Sequence, residues 1–313
     1  MRVLIVTSKY LPSVGGLETA VRELNARLRG AGHETLIVTN RHSRRLPPGE
    51  ELDGTTVRRF FFTSGLPRLT PAQLLKYPAR LAAAPAAYAG LRCVIREFRP
   101  DVVNLHFVGH PTAYLLAALR GSSIPLVVSL HGTDVQIDLK RSPVRRQVFR
   151  LAAARAAAVT ANSEYLLRLA SDYAPAAAAK GVVIPNALPG LPPPAPAPER
   201  RGHILCVSRL AAVKGVDLLL QAFAKLPPNG SMPPSGSMPP SGSMPRLVIA
   251  GDGPERPALE ALASRLGIRQ DVEFSIPTSV SPDGRKSAGT HVRDTRSSQG
   301  LSLIHISEPT RPY

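Results

Sequence analysis

The sequence predicts an α/β protein with parallel sheets, arranged as two units of which the second is incomplete. Three observations predict it. Short apolar, β-branched runs alternate with amphipathic stretches, the pattern of a parallel sheet covered on both faces. A Pro-rich segment, Leu188 to Gly202, divides the chain into unequal parts. Two glycine-containing turns, Pro12–Glu18 and Ser208–Gly215, each lie between an apolar strand and an amphipathic helix, one in each half. Such turns bring backbone N–H groups and the positive end of a helix to one place, which suits an anion. Together they predict an enzyme that holds a phosphorylated substrate in a cleft between two α/β domains.

The elements follow in order. Val3 to Val6 reads as a buried parallel strand. Leu17, Ala20, Val21, Leu24 and Leu28 recur at helical spacing, and Gly30 and Gly32 end that helix. Leu36 to Val38 and Val57 to Phe62 are the next strands. The Ala-rich stretch Pro78 to Phe98 predicts one long helix with a break point at Pro85. Val102 to Phe107, Leu126 to Leu130, Val159 to Asn162 and Val182 to Ile184 read as strands. Helices are expected around Ala113 to Leu119 and Val144 to Ala157.

The predicted domains are 1–187, a linker at 188–202, a partial second domain at 203–274, and a tail at 275–313. His203 to Ser208 opens the second domain, followed by a helix from about Val216 to Lys225. Residues 229–245 repeat SGSMPP and lack core-forming side chains, so a disordered loop insertion is expected. Leu247 to Ala250, a helix carrying Leu259, Leu262, Ala263 and Leu266, and Asp271 to Phe274 complete the pattern.

The chain has 313 residues, 43% of them hydrophobic and none of them Trp, with a formal net charge of +17. That surface attracts phosphorylated metabolites, nucleic acid or anionic headgroups. Its arginines are scattered, so a solvated basic surface is the ordinary reading and peripheral attachment to an anionic membrane the second. Without an interleaved aromatic–basic motif, a helix-turn-helix signal or zinc spacing, no nucleic-acid partner is expected. Cys93 and Cys206 read as buried free thiols in a reducing compartment. The opening apolar run is too short for a signal peptide, and no run of about 18 apolar residues occurs, so a cytoplasmic location is expected.

Six strings carry a resemblance: YLPSVGGLE (10–18), SLHGTD (129–134), ANSEYL (161–166), VIPNALP (183–189), VSRLAAVKGVDLLLQAF (207–223) and VIAGDGPERPALEALASRLGI (248–268). In order and spacing they are similar to the retaining glycosyltransferases of family 4, whose GT-B fold pairs two Rossmann-like doubly wound domains. The resemblance implies transfer of a hexose from a nucleotide diphosphate sugar to an acceptor with retention. It places Gly15 and Gly16 at the donor diphosphate and the acceptor, and makes Arg209 and Lys214 the donor-phosphate clamp. It puts His131 against the transferred sugar. Neither a metal nor a cofactor is implied beyond the donor substrate. The acceptor classes left open are a sugar, an inositol phosphate and a lipid-linked acceptor. The residues alone also allow a tight turn at Gly15–Gly16, surface cations at Arg209 and Lys214, and a structural His131. Asp134 reads equally as a helix cap, and His106 and His110 as pocket walls.

The family pattern also holds two glutamates with seven residues between them that grip the donor sugar and ribose, and this sequence lacks them after Phe274. Leu301 to Arg311 resembles translated library-adapter sequence, which makes 275–313 a non-native or disordered tail, with a natural disordered tail as the alternative. Donor binding is then expected to be weak and turnover slow or absent. A non-hydrolysing sugar-nucleotide epimerase and a non-catalytic fragment are the competing readings.

Overall fold

The structure, a computed structural model, describes residues 1–13, 15–63, 71–186, 203–226, 246–276 and 301–303, and describes 71–81, 203 and 301–303 by their backbone. The linker at 188–202 and the insert at 229–245 lie outside the described residues, as does most of the tail. The chain divides into two compact units, Met1–Gly190 and Leu191–Tyr313.

The first unit is built on an eight-stranded sheet. Its strands are β1 (Arg2–Thr7), β2 (Glu34–Asn40), β3 (Gly49–Leu52), β4 (Thr55–Phe60), β5 (Val102–His106), β6 (Leu126–Leu130), β7 (Ala158–Ala161) and β8 (Gly181–Val183). They run in the order β3-β4-β2-β1-β5-β6-β7-β8, parallel throughout except for the β3–β4 hairpin. β1 shows why the apolar runs are continuous. Leu4 and Val6 enter one core with Val103, Leu105, Val128 and Val159, while Val3 and Ile5 enter a second core with Val21, Ile37 and Val57. A strand buried on both faces has no polar side to alternate with.

The helices are α1 (Gly16–Gly30), α2 (Pro71–Phe98), α3 (Thr112–Ala118), α4 (Pro143–Arg155), α5 (Glu164–Tyr173) and α6 (Pro175–Ala179). α1 packs on the smaller core through Val21, with Leu17 and Leu28 beside it. α2 corrects the sequence reading: it begins at Pro71 and runs unbroken through Pro78 and Pro85. Ala87, Leu91 and Val94 bury one face of its last turns, and that burial outweighs the cost of an internal proline. Cys93 is half-buried rather than buried, with its Sγ 3.0 Å from Glu97 Oε1, whereas Cys206 is buried; both are free thiols.

The second unit holds β9 (His203–Val207), β10 (Arg246–Ala250), β11 (Val272–Ser275) and β12 (Leu301–Leu303), in the parallel order β11-β10-β9-β12. β12 comes from the tail segment and pairs with His203–Leu205. α7 (Val216–Phe223) and α8 (Arg256–Arg265) pack on this sheet through Leu220, Phe223, Leu259 and Ala263. Among the described residues no helix is long and apolar enough to cross a membrane.

Candidate functional site

β5 and β6 are adjacent parallel strands, and one histidine closes β5 while another directly follows β6. His106 is the last residue of β5, and His131 follows Leu130 at the end of β6. Both chains then turn sharply: Phe107 stands at φ 69° and Gly132 at φ 119°. Positive φ at a non-glycine is uncommon and costly, so this backbone is over-determined by its surroundings. The two rings end with His106 Nδ1 and His131 Nε2 at 2.9 Å, their planes 36° apart. The carboxyl edge of a parallel sheet is where open α/β folds bind ligands.

Asp134 holds this turn together. It is fully buried, and its carboxylate accepts the backbone N–H groups of Gly132 (2.8 Å), Val135 (3.1 Å) and His131 (3.2 Å), with Val108 N at 3.5 Å. The sequence left helix capping and site chemistry open for Asp134; the structure commits the carboxylate to backbone of both histidine-bearing loops. Burial pushes its pKa up from 3.8 to about 6, against the lowering effect of those N–H groups. Burial pushes His106 down from 6.5 to about 3, helped by the neighbouring His131, and pushes His131 down to about 4. At neutral pH both rings are therefore uncharged, and His131 offers a hydrogen bond rather than a cation.

Both histidines line a pocket of about 360 Å³ in the first unit. One wall is α1, through Ala20, Glu23, Leu24 and Arg27. The floor is a row of polar side chains across three strands. Thr160 Oγ1 donates to Ser129 Oγ at 3.0 Å, and Ser129 Oγ donates to Asn104 Oδ1 at 2.9 Å. Sequence reasoning missed this row. Its signal was one polar residue set inside each of three apolar strands, VVNLH, LVVSL and AVTA.

The remaining expected residues fall as follows. Gly15 is the N-cap of α1 and Gly16 its first residue, so the glycine pair does form the strand-to-helix turn. Glu18 folds back over it, its Oε2 2.7 Å from where a Cβ on Gly15 would stand, and is buried there. Neither glycine lines the pocket that holds the histidines. His110 lies outside its lining as well, just after β5. Arg209 is exposed on the connection from β9 to α7, and Lys214 is half-buried at the end of the 3₁₀ turn Ala212–Lys214 on the same connection.

The segment Gly251–Gly253 after β10 is the other feature that sequence reasoning left unassigned. Leu210 N donates to Asp252 O at 2.9 Å, and Ser208 N to Ala250 O at 3.1 Å. A Cβ on Gly251 would collide with the carbonyl oxygen of Ser208, and one on Gly253 with that of Leu210. The two glycines therefore let the backbone that carries Arg209 lie directly against them. Among the described residues no group of three or more His, Cys, Asp or Glu side chains could hold a metal ion.

Comparison with known proteins agrees with this build. Residues 14–189 match Glycosyltransferase Family 4, and residues 191–281 match Glycosyl transferases group 1. A GDP-mannose-dependent alpha-(1-6)-phosphatidylinositol monomannoside mannosyltransferase of Mycolicibacterium smegmatis is 25% identical, over 97% of this chain and 77% of its own length. A GDP-mannose-dependent alpha-mannosyltransferase of Mycobacterium tuberculosis is 28% identical, over 83% of this chain and 65% of its own. In structure, the apo form of the lipopolysaccharide outer core galactosyltransferase WaaB overlaps 90% of this chain and 69% of its own at a TM-score of 0.59 and 17% identity. Sucrose-phosphate synthase from Thermosynechococcus elongatus overlaps 88% and 70% at a TM-score of 0.57 and 15% identity. The fold is that of the GT-B glycosyltransferases, the class that moves a sugar from a nucleotide sugar to an acceptor. The chain belongs to Glycosyltransferase Family 4.

Proposed function

We propose that this chain transfers a hexose with retention from a nucleoside diphosphate sugar, GDP-mannose being the first donor to test, to a hydroxyl of an anionic, lipid-linked acceptor. The two mannosyltransferases compared above are named as GDP-mannose-dependent, and one of them acts by name on a phosphatidylinositol monomannoside. The net charge of +17 favours an anionic acceptor and peripheral contact with an anionic membrane. The observation that carries the reading is His131: a neutral ring at the carboxyl edge of the sheet, held at 2.9 Å by His106, in the wall of a pocket of about 360 Å³.

In this reading His131 hydrogen-bonds a hydroxyl of the transferred sugar. The turn at Gly15 and Gly16 faces the diphosphate and the acceptor, with Gly16 open and the Glu18 carboxylate moving off Gly15 as the donor enters. Arg209 and Lys214 neutralise charge that grows on the departing nucleoside diphosphate. The work is positioning and electrostatics, and the reaction needs no cofactor beyond the donor.

Titration calorimetry of the whole chain with GDP and UDP, paired with sugar-labelled GDP-mannose and phosphatidylinositol vesicles, tests this. The expected result is weak heat with GDP that Arg209→Ala removes, and slow passage of label into lipid. Absence of heat with either nucleotide overturns the reading, and label recovered only in an epimerised nucleotide sugar replaces it with the epimerase.

A further inference from the structure

Either tautomer of the histidine pair leaves one ring nitrogen stranded. His106 Nε2 is buried and has no hydrogen-bond partner among the described residues. The 2.9 Å contact between His106 Nδ1 and His131 Nε2 needs one donor and one acceptor. If His131 donates, the proton of His106 sits on Nε2 as a buried, unbonded N–H. If His106 donates, its Nε2 is only a bare lone pair. Orphaned buried N–H groups are the rarer and costlier of the two. A charged imidazolium would satisfy neither nitrogen better, because burial opposes the charge.

We infer that His106 is a positioning residue that donates from Nδ1 to His131 Nε2 and so keeps the proton of His131 on Nδ1. This deepens the reading that His131 meets the transferred sugar, and rests on it. Its consequence is chemical. With Nε2 occupied as an acceptor, His131 presents a donor to whatever oxygen enters the pocket. A sugar hydroxyl must then accept from the ring, leaving its own O–H free for another partner. The deeper residue is thus invisible to the ligand and still decides which hydrogen bond the site can make.

Long-range 1H–15N correlation spectra of the whole chain, labelled in its eight histidines, read tautomers directly and need no substrate. His131→Gln and His106→Asn assign the signals by their loss. Both rings are expected to carry their proton on Nδ1 near neutral pH. In His106→Asn the amide N–H replaces the lost donor, and His131 keeps the same form. In His106→Asp only an acceptor faces His131 Nε2, and His131 is expected to gain a proton there. A wild-type His131 protonated on Nε2 overturns the inference, as does a His131 without an Nε2 proton in His106→Asp. If His106→Asp fails to fold, the wild-type spectrum alone decides. Nucleotide calorimetry separates the two claims: missing heat with the expected tautomers fails the proposed function only, and the wrong tautomers with intact GDP binding fail this inference only.

Discussion

Asp134 accepts the N–H of Gly132 at 2.8 Å while Gly132 stands at φ 119°, so a short hydrogen bond of the turn is made by a residue in a conformation that L side chains rarely adopt. A Cβ on Gly132 would meet nothing within 4 Å, which leaves backbone strain as the whole cost of Gly132→Ala. The expected loss is about 1–3 kcal/mol, read by urea denaturation. Gly30→Ala, equally uncrowded and without positive φ, is expected to be neutral or slightly stabilising.

The same turn carries opposing pH dependences. The folded-state pKa of Asp134 is raised from 3.8 to about 6, so its contribution is fully present below 3.8 and lost as pH rises through about 6. His131 is lowered from 6.5 to about 4, so its contribution is present above 6.5 and lost as pH falls through about 4. The stability difference between wild type and Asp134→Asn is therefore expected to shrink from pH 4 to 7, and that between wild type and His131→Gln to grow. Each change amounts to at most about 3 kcal/mol. Parallel melts of the three proteins at pH 4, 5.5 and 7 check both signs.

Gly251→Ala and Gly253→Ala test the seat of the Arg209 loop. Both added methyl groups meet backbone carbonyl oxygens, which cannot rotate away as a side chain would. Each is expected to cost about 1–3 kcal/mol by displacing Ser208–Leu210. Nucleoside diphosphate binding, followed by calorimetry below the melting transition, is expected to fall with the loop.

Arg59 anchors the glycine turn from beneath. Its side chain is 1% exposed, pairs with Glu50, and donates from Nη2 to the carbonyl oxygen of Leu11 at 2.7 Å. Arg59→Ala is expected to cost about 3 kcal/mol, because Glu50 and the Leu11 carbonyl lose their partner. Arg59→Ala/Glu50→Ala is expected to cost less than the two single variants summed. Urea midpoints for the three variants decide it.

The parallel sheets were legible because burial on both faces forces unbroken apolar runs such as Val3–Val6, and because the chain must cross over between them. The polar strand Gly49–Leu52 was not legible, since as an edge strand it packs little apolar surface. The Asp53–Gly54 turn, with φ 50° and 69°, was its one available signal. α5 was missed as well, although Ser163 caps it by accepting from Leu166 N at 3.3 Å. His131 was visible as a local motif, as were the two glycine turns, one in each unit. The partnership of His131 with His106, 25 residues earlier, was not.

By itself the sequence determined the strand–helix alternation, the two-unit division and the family, because each is written in local periodicity and in the order of short motifs. Only the tertiary structure decided that His106 and His131 share a hydrogen bond, that Asp134 binds backbone, and that Asn104, Ser129 and Thr160 form one polar row. The histidine pair and the polar row depend on strand register, which pairs His106 with Ser129 and Ser129 with Thr160. Register follows from packing of the whole sheet, and no local stretch of chain encodes it.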